Sequence, residues 1–290
     1  MEKYLNKANY ELCEYNFNTL MLWDPVEKYS YITDDQTLYL FSEQYKHMFM
    51  PVTQQENWFE SSKKLIECFK SKNIPLIIAY SSEEYANYLL KTFPNQFIKE
   101  PVRNLFDYVY DAEELRTLKG RKYVKKRNHV NKFYRTFEKR FEYRALTEAD
   151  FENCRKLIQL WQFDKTTTEA GKHSYFKSHS LEDGIENLLE NYQKLNYKIG
   201  GIYIDNVLEA FSIGSILNED TAQIHVEKAN PHIRGLYQVL NKVFLNENFP
   251  NVKYVNREDD VGVEGLRKAK LSYHPIHLVS KYIISEITGD

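Results

Sequence analysis

Cysteine is scarce in this chain. Cys13, Cys68 and Cys154 are three isolated, widely spaced thiols in 290 residues, a pattern that excludes a disulfide framework and a Cys-x-x-Cys metal site. Glycine is scarce as well: ten glycines, beside 23 tyrosines and 17 phenylalanines, supply aromatic area for a core but few of the points of close backbone approach that a glycine-rich phosphate loop needs. No Walker loop or nucleophile elbow occurs. His173, His179, His225, His232, His274 and His277 form no H-E-x-x-H, and the lone His225-x-Glu227 is not followed by P-C-x-x-C, so no metal centre is expected. No run approaches the ~20 apolar residues of a membrane span. The polar start Met1-Glu-Lys-Tyr-Leu-Asn-Lys lacks the apolar core of a secretory signal, so a cytoplasmic protein without integral membrane association is expected. An excess of one charge is also missing overall, since 39 Lys and Arg oppose 41 Asp and Glu. Length and balance together suggest one large domain or two ordinary ones.

Periodicity organises what is present. The N-terminal third predicts helices over Asn57 to Lys72 and Glu83 to Thr92, with strands at Tyr29 to Thr33, Thr37 to Ser42, His47 to Val52, Ile74 to Tyr80 and Asn104 to Tyr110. Charge balance then breaks down locally. Leu118 to Arg140 holds ten basic residues and one acid, Glu138, a net of +9 in 23 residues. Tyr123, Val130, Phe133, Tyr134 and Phe137 interleave at helical spacing, which predicts a helix with one aromatic and one basic face, bridging two halves. Beyond it, helices are expected around Asp150 to Trp161 and Leu181 to Leu195, then a hairpin of Lys198 to Ile204 and Val207 to Ile216 about Asp205-Asn206. A strand over Thr221 to Lys228 follows, then a helix from Leu236, a strand at Val252 to Asn256, a helix at Glu264 to Lys270 and a last strand from Ile276 to Ile284.

That order of elements matches, by analogy, the second part of the N-acetyltransferase (GNAT) fold, whose central strands splay apart to leave a cleft. Five segments carry a closer likeness: Glu114-Leu-Arg-Thr-Leu-Lys-Gly-Arg-Lys-Tyr123 with Lys126-Arg-Asn-His129, Ile224-His-Val-Glu-Lys-Ala-Asn-Pro231, Asn256-Arg-Glu-Asp-Asp260, and Glu264-Gly-Leu-Arg-Lys-Ala-Lys270 with Pro275 following. The sequence resembles the C-terminal, catalytic domain of phosphatidylglycerol lysyltransferases, most strongly from about Leu105 onward. The resemblance implies an α/β fold of two GNAT-like domains joined by a basic helix, here 1–115, 116–140 and 141–290. It also implies transfer of an aminoacyl group from tRNA to an acceptor. The multi-span membrane domain of the lipid enzymes is not part of this sequence, which leaves open which amine or hydroxyl is the acceptor.

Candidate site residues follow from pattern. Alternation along Thr221 to Lys228 places Gln223, His225 and Glu227 on one face. Glu227 or His225 there can accept a proton from an attacking amine or hydroxyl; the alternative is a structural network. Asn256-Arg-Glu-Asp-Asp260 follows a strand, where ligand groups gather in open α/β sheets. Arg257 suits a carboxylate, phosphate or oxyanion, while Glu258, Asp259 and Asp260 suit a cationic amino group or the capping of the next helix. Arg267 and Lys270 suit phosphate or surface ion pairs. Arg234 and Gly235 echo the coenzyme A pyrophosphate loop of acetyltransferases, although bulky Leu236 and Tyr237 follow, so no bound cofactor is expected and a CoA-dependent acyltransferase stays an alternative. Arg121, Lys122, Lys125, Lys126 and Arg127 are the candidates for contact with tRNA or another anionic polymer, as is a purely binding, non-enzymatic role.

Overall fold

The computed structural model describes residues 1–166 and 175–287. It resolves into two compact units. The first gathers residues 1–108, 258–270 and those from 277 on, and the second gathers 109–257 and 271–276. The basic helix is therefore an internal part of the second unit, and the C-terminal segments return to the first. Each unit is a sheet with helices packed on it, the GNAT-like α/β arrangement. No helix of the described residues is long and apolar enough to cross a membrane.

In unit 1, helices α1 (Glu2–Ala8) and α2 (Phe17–Glu27) precede strands β1 (Tyr29–Thr33), β2 (Leu38–Ser42) and β3 (His47–Phe49). Helix α3 (Trp58–Ser71) and helix α4 (Glu83–Thr92) flank β4 (Ile77–Ser81), and β5 (Phe97–Pro101) follows. The Asp34 carboxylate makes the β1–β2 turn by accepting from the amides of Gln36 and Thr37 at 3.0 and 2.8 Å. Ser82 starts α4 by accepting from the Tyr85 amide at 3.1 Å. The strand order is β1-β2-β3-β4-β13-β5, where β13 (Tyr282–Glu286) comes from the far end of the sequence and pairs antiparallel with both neighbours.

The strand expected over Ile276 to Ile284 is interrupted. It forms β12 (His277–Val279) and β13, with Ser280 and Lys281 between them. The two strands lie in different sheets. In the link between them, the Lys281 ammonium turns into the interior with 1% of the side chain exposed. It donates to Glu14 Oε1 at 2.5 Å and Asp107 Oδ1 at 2.6 Å and lies 3.3 Å from Cys13 Sγ. Burial alone pushes a lysine toward neutrality, but Asp107, Cys13 and Glu14 more than offset it, so the ammonium stays charged. Cys13, Glu14 and Asp107 have the grouping of a metal site; the Lys281 ammonium is the cation they hold.

Unit 2 begins within β6 (Asp107–Asp111) and continues through α5 (Ala112–Thr117), α6 (Val124–Thr136), β7 (Phe141–Ala145), α7 (Phe151–Thr166) and α8 (Tyr175–Glu190). Then come β8 (Lys198–Ile204), β9 (Val207–Asn218), β10 (Thr221–Ala229), α9 (Leu236–Asn248) and β11 (Tyr254–Asn256); α10 (Glu264–Leu271), next in the chain, belongs to unit 1 but for its last residue. The β8–β9 hairpin turns at Asp205 and Asn206, both at positive φ (48° and 67°), as a two-residue hairpin requires. The basic helix is shorter than the 23 residues of its charge run. It is capped by Tyr123 and Phe137; Gly120 at φ +91° opens a separate 3₁₀ turn, Arg121–Tyr123, ahead of it, and Lys139 at φ +61° lies beyond its end. Its aromatic face is buried as expected through Tyr123, Val130 and Phe133.

Neighbouring strands run β6-β11-β10-β9-β8-β7. β10 and β11 are parallel but share only three register pairs, Thr221–Tyr254, Ala222–Val255 and Gln223–Asn256. β10 then continues to Ala229 against β9 alone. Past Gln223–Asn256 the two strands no longer pair, as the splay expected of this fold requires.

Replacing Lys281 by Met leaves two buried carboxylates without their cation. The expected loss is about 3–5 kcal/mol of stability, read from urea unfolding, with part of it recovered when Asp107→Asn is added. Unchanged stability in Lys281→Met would show that the cluster contributes nothing to folding.

Candidate active site

The centre of unit 2 is built where β10 and β11 diverge. Pairing along β10 places Gln223 opposite Ser215 and Ile224 opposite Gly214, then resumes with Val226 opposite Ile213 and Glu227 opposite Ser212. His225 is thus the extra residue of a β-bulge. Cross-strand partners share a face, and Ser215 and Ser212 lie three positions apart, so Gln223 and Glu227 point to opposite faces. The single polar face expected of Gln223, His225 and Glu227 does not form. Buried His225 instead meets the Ser215 hydroxyl through Nε2 at 2.8 Å.

Glu227, on the other face, forms an ion pair with Arg257, the residue that follows β11. Only 13% of the arginine side chain and 14% of the glutamate side chain are exposed. Asn241 of α9 donates to the second carboxylate oxygen at 3.2 Å. The Arg257 guanidinium lies 5.7 Å from the centre of the Tyr110 ring and 4.9 Å from that of Tyr273. Burial opposes its charge, and Glu227 more than restores it. The result is a fixed guanidinium held between a carboxylate and two aromatic rings at the opening of the sheet, an arrangement able to receive a carboxylate, a phosphate or a developing oxyanion. Asn256 and Gln223, both fully buried, form the last rung of the ladder just before the opening.

Helix α6 supplies the surroundings. Lys126 donates to Ser272 Oγ at 2.6 Å and lies 3.9 Å from the centre of the Tyr273 ring. The other basic candidates divide. Arg127 donates to the carbonyls of Leu118 and Gly120, closing the turn that precedes the helix. Lys122 pairs with Glu114 at 2.6 Å, and Arg121 and Lys125 are exposed. Lys125, Asn128, His129, Lys132, Arg135 and Arg234 line an open cleft of about 680 Å³. Partial burial and the charges of Arg234, Lys126 and Lys132 hold His129 below the ordinary histidine range, as a positive potential requires.

Arg234 Nε approaches His129 Nδ1 at 3.3 Å. Gly235, at φ +91°, starts α9, and a Cβ there would lie 2.6 Å from the His129 carbonyl oxygen. The close approach that this glycine permits is taken by helix α6, where the acetyltransferase loop would receive a pyrophosphate.

The remaining candidates belong to unit 1. The Glu258 carbonyl accepts from the Tyr108 amide at 3.1 Å and from Lys270 Nζ at 3.3 Å. Asp259 accepts from the Val261 amide at 2.8 Å, and burial pushes its carboxyl up to about 6. Arg267 forks onto Asp260 through Nε and Nη2, both at 2.8 Å, and also donates to Asn104. Asp260, which accepts from the Gly262 amide as well, shapes the turn ahead of α10. Its carboxyl lies well below the usual range: burial opposes ionisation, and the bonds from Arg267 and Tyr108 overcome it. Tyr110, Tyr273, Ser272 and Asn241 escaped sequence reasoning, because no local spacing links them to Glu227 or Arg257.

A family profile described as "Phosphatidylglycerol lysyltransferase, C-terminal" matches residues 6–285. A conserved protein of unknown function from Bacteroides thetaiotaomicron is 27% identical, with a TM-score of 0.87 over 98% of this chain and 96% of that one. The structure of L-PGS from Bacillus licheniformis superposes with a TM-score of 0.68 at 12% identity, covering 100% of this chain and 91% of that one, and shows the shared fold. An uncharacterized protein of Mycoplasmoides gallisepticum, MYCGA3080, is 26% identical over 181 residues, 62% of this chain; the match spans 56% of that protein's length.

Gly235→Ala is expected to cost about 1–3 kcal/mol, from the positive φ and the His129 carbonyl together, read as a lowered urea midpoint. A midpoint equal to wild type would mean that α6 does not press on this position.

Proposed function

The chain belongs to the phosphatidylglycerol lysyltransferase C-terminal family, and we propose from that membership and from the geometry of unit 2 that it moves an aminoacyl group from charged tRNA to an amine or hydroxyl acceptor. It is an acyltransferase domain of the lysyl-phosphatidylglycerol synthetase kind; the tRNA donor and the nature of the acceptor are the proposed part. One observation carries the reading. A single helix, α6, turns Lys126 toward the Arg257 group and presents Lys125, Lys132 and Arg135 to the cationic cleft. A donor whose phosphates lie along the cleft then has its esterified end directed toward the opening between β10 and β11.

The reaction is attack by the acceptor on the ester carbonyl. The new bond to carbon forms as the carbonyl electrons move to oxygen, and the tetrahedral centre collapses by releasing the ribose hydroxyl. Arg257 is the group for the oxyanion. Glu227 holds the guanidinium in place, and this anchoring role suits it better than proton acceptance, because protonating it would release the buried arginine. His225, on the other face, supports the bulge through Ser215. The CoA-dependent reading is weaker, since helix α6 fills the approach to Gly235.

Filter binding of bulk tRNA across a salt series tests the donor side. Binding should weaken steeply with salt, and Lys132→Ala and Arg135→Ala should each lower the log–log slope by about 1. Absence of binding at low salt would refute the tRNA reading. On the chemical side, Arg257→Ala should lower aminoacyl transfer from bulk aminoacyl-tRNA to hydroxylamine about 100-fold or more, measured as hydroxamate. A full rate in that variant would remove Arg257 from the mechanism.

A further inference from the structure

Aminoacyl transfer needs a group that takes a proton from the acceptor and returns one to the ribose oxygen. Glu227, tied to Arg257 and Asn241, is poorly placed for that task. Lys126 differs from the other lysines of its helix. Lys125 and Lys132 are exposed, whereas Lys126 is half-buried, and no carboxylate pairs with it among the described residues. Its Nζ rests on the Ser272 hydroxyl and the Tyr273 ring, the same ring that Arg257 approaches.

We propose that Lys126 is the proton carrier of the transfer: its neutral amine takes the proton of the attacking acceptor and gives it to the departing ribose oxygen. The inference rests on the aminoacyl-transfer reading of the same site. The steps balance within the site. As the acceptor's nitrogen or oxygen bonds to the ester carbon, its proton passes to the Lys126 lone pair, and the carbonyl electrons move to the oxygen facing Arg257. When the tetrahedral centre collapses, the carbon–oxygen bond to the ribose breaks and the Lys126 ammonium protonates the leaving oxygen. The amine is regenerated and no co-reactant is consumed. Ser272, a donor and acceptor 2.6 Å away, can hold Nζ in either state.

The surroundings support this. The charged group facing Lys126 from the end of β11 is Arg257; the segment 271–276 offers Ser272 and Tyr273; His129 lies one turn along its own helix. Burial and the charge of Arg257 bring the Lys126 ammonium down to about 8, near the pH at which one group can both accept and donate a proton. A lysine kept for phosphate contact would stay at the surface with its ordinary basicity.

Two measurements test the proposal. Reductive methylation with ¹³C-formaldehyde gives each lysine a titrating resonance, and the one missing from Lys126→Arg should move with a midpoint near 8. A midpoint above 10 overturns the inference whichever donor is used. In hydroxamate formation from bulk aminoacyl-tRNA and hydroxylamine, the wild-type rate above background should rise with pH through about 8. Lys126→Arg, which keeps the charge and a similar reach, should lower it about 100-fold and lose that rise, with tRNA binding and melting unchanged. A variant with the wild-type rate and pH profile refutes Lys126 alone. A wild-type protein that forms no hydroxamate with any amino acid refutes the transfer reading, and this inference falls with it.

Discussion

Because His225 enters β10 as the extra residue of a bulge, the alternation of the strand changes phase between Ile224 and Val226. Glu227 is thereby carried to the face where Asn241 and Arg257 reach it, away from Gln223. The ion pair that results fixes much else. Arg257 lies in surroundings that penalise an isolated charge by several kcal/mol, so its place between Tyr110 and Tyr273 depends on the carboxylate. The last rung between β10 and β11, Gln223–Asn256, stops just short of this pair. Beyond it β10 and β11 no longer pair, and a fixed guanidinium stands at the end of the ladder.

Much of the scaffold was legible in the residues themselves. Asp205-Asn206 announced the β8–β9 hairpin, the stripe Leu236, Val239, Leu240, Val243, Phe244 announced α9, and the run of lysines and arginines marked α6. These are local signals, of turn chemistry or of period. The bulge at His225 is not local: it is a mismatch of register between two strands, and residue types along β10 read the same with or without it. That is why alternation along the strand puts Glu227 on one face with Gln223 and His225, while the structure carries it to the other. Likewise the basic run gave the helix its charge but not its division of labour. Arg127 is spent on carbonyls of its own chain, Lys122 on Glu114, and Lys126 on an aromatic ring 147 positions away. Arg135 and Arg234, which line the cleft, are brought together by packing that no spacing reveals.

Lys281 illustrates the same limit in unit 1. A lysine within an apolar stretch, Ile276 to Ile284, looks like a solvent-facing position of a strand. It is instead buried against Glu14 and Asp107, partners 267 and 174 positions away. β12 and β13 lie in different sheets, and Lys281 sits in the two-residue link between them, where its buried ammonium needs those carboxylates.

The two sheets treat their middles differently. In unit 2, β10 and β11 diverge and leave room. In unit 1, β13 lies between β4 and β5 and bonds to both. During synthesis, β4 and β5 are made nearly two hundred residues before the segment that joins them. While the ribosome completes the intervening chain, these strands expose unsatisfied edges, vulnerable to partners from other nascent chains. Of these two units, the one whose synthesis starts earlier cannot close until residues 282–286 arrive.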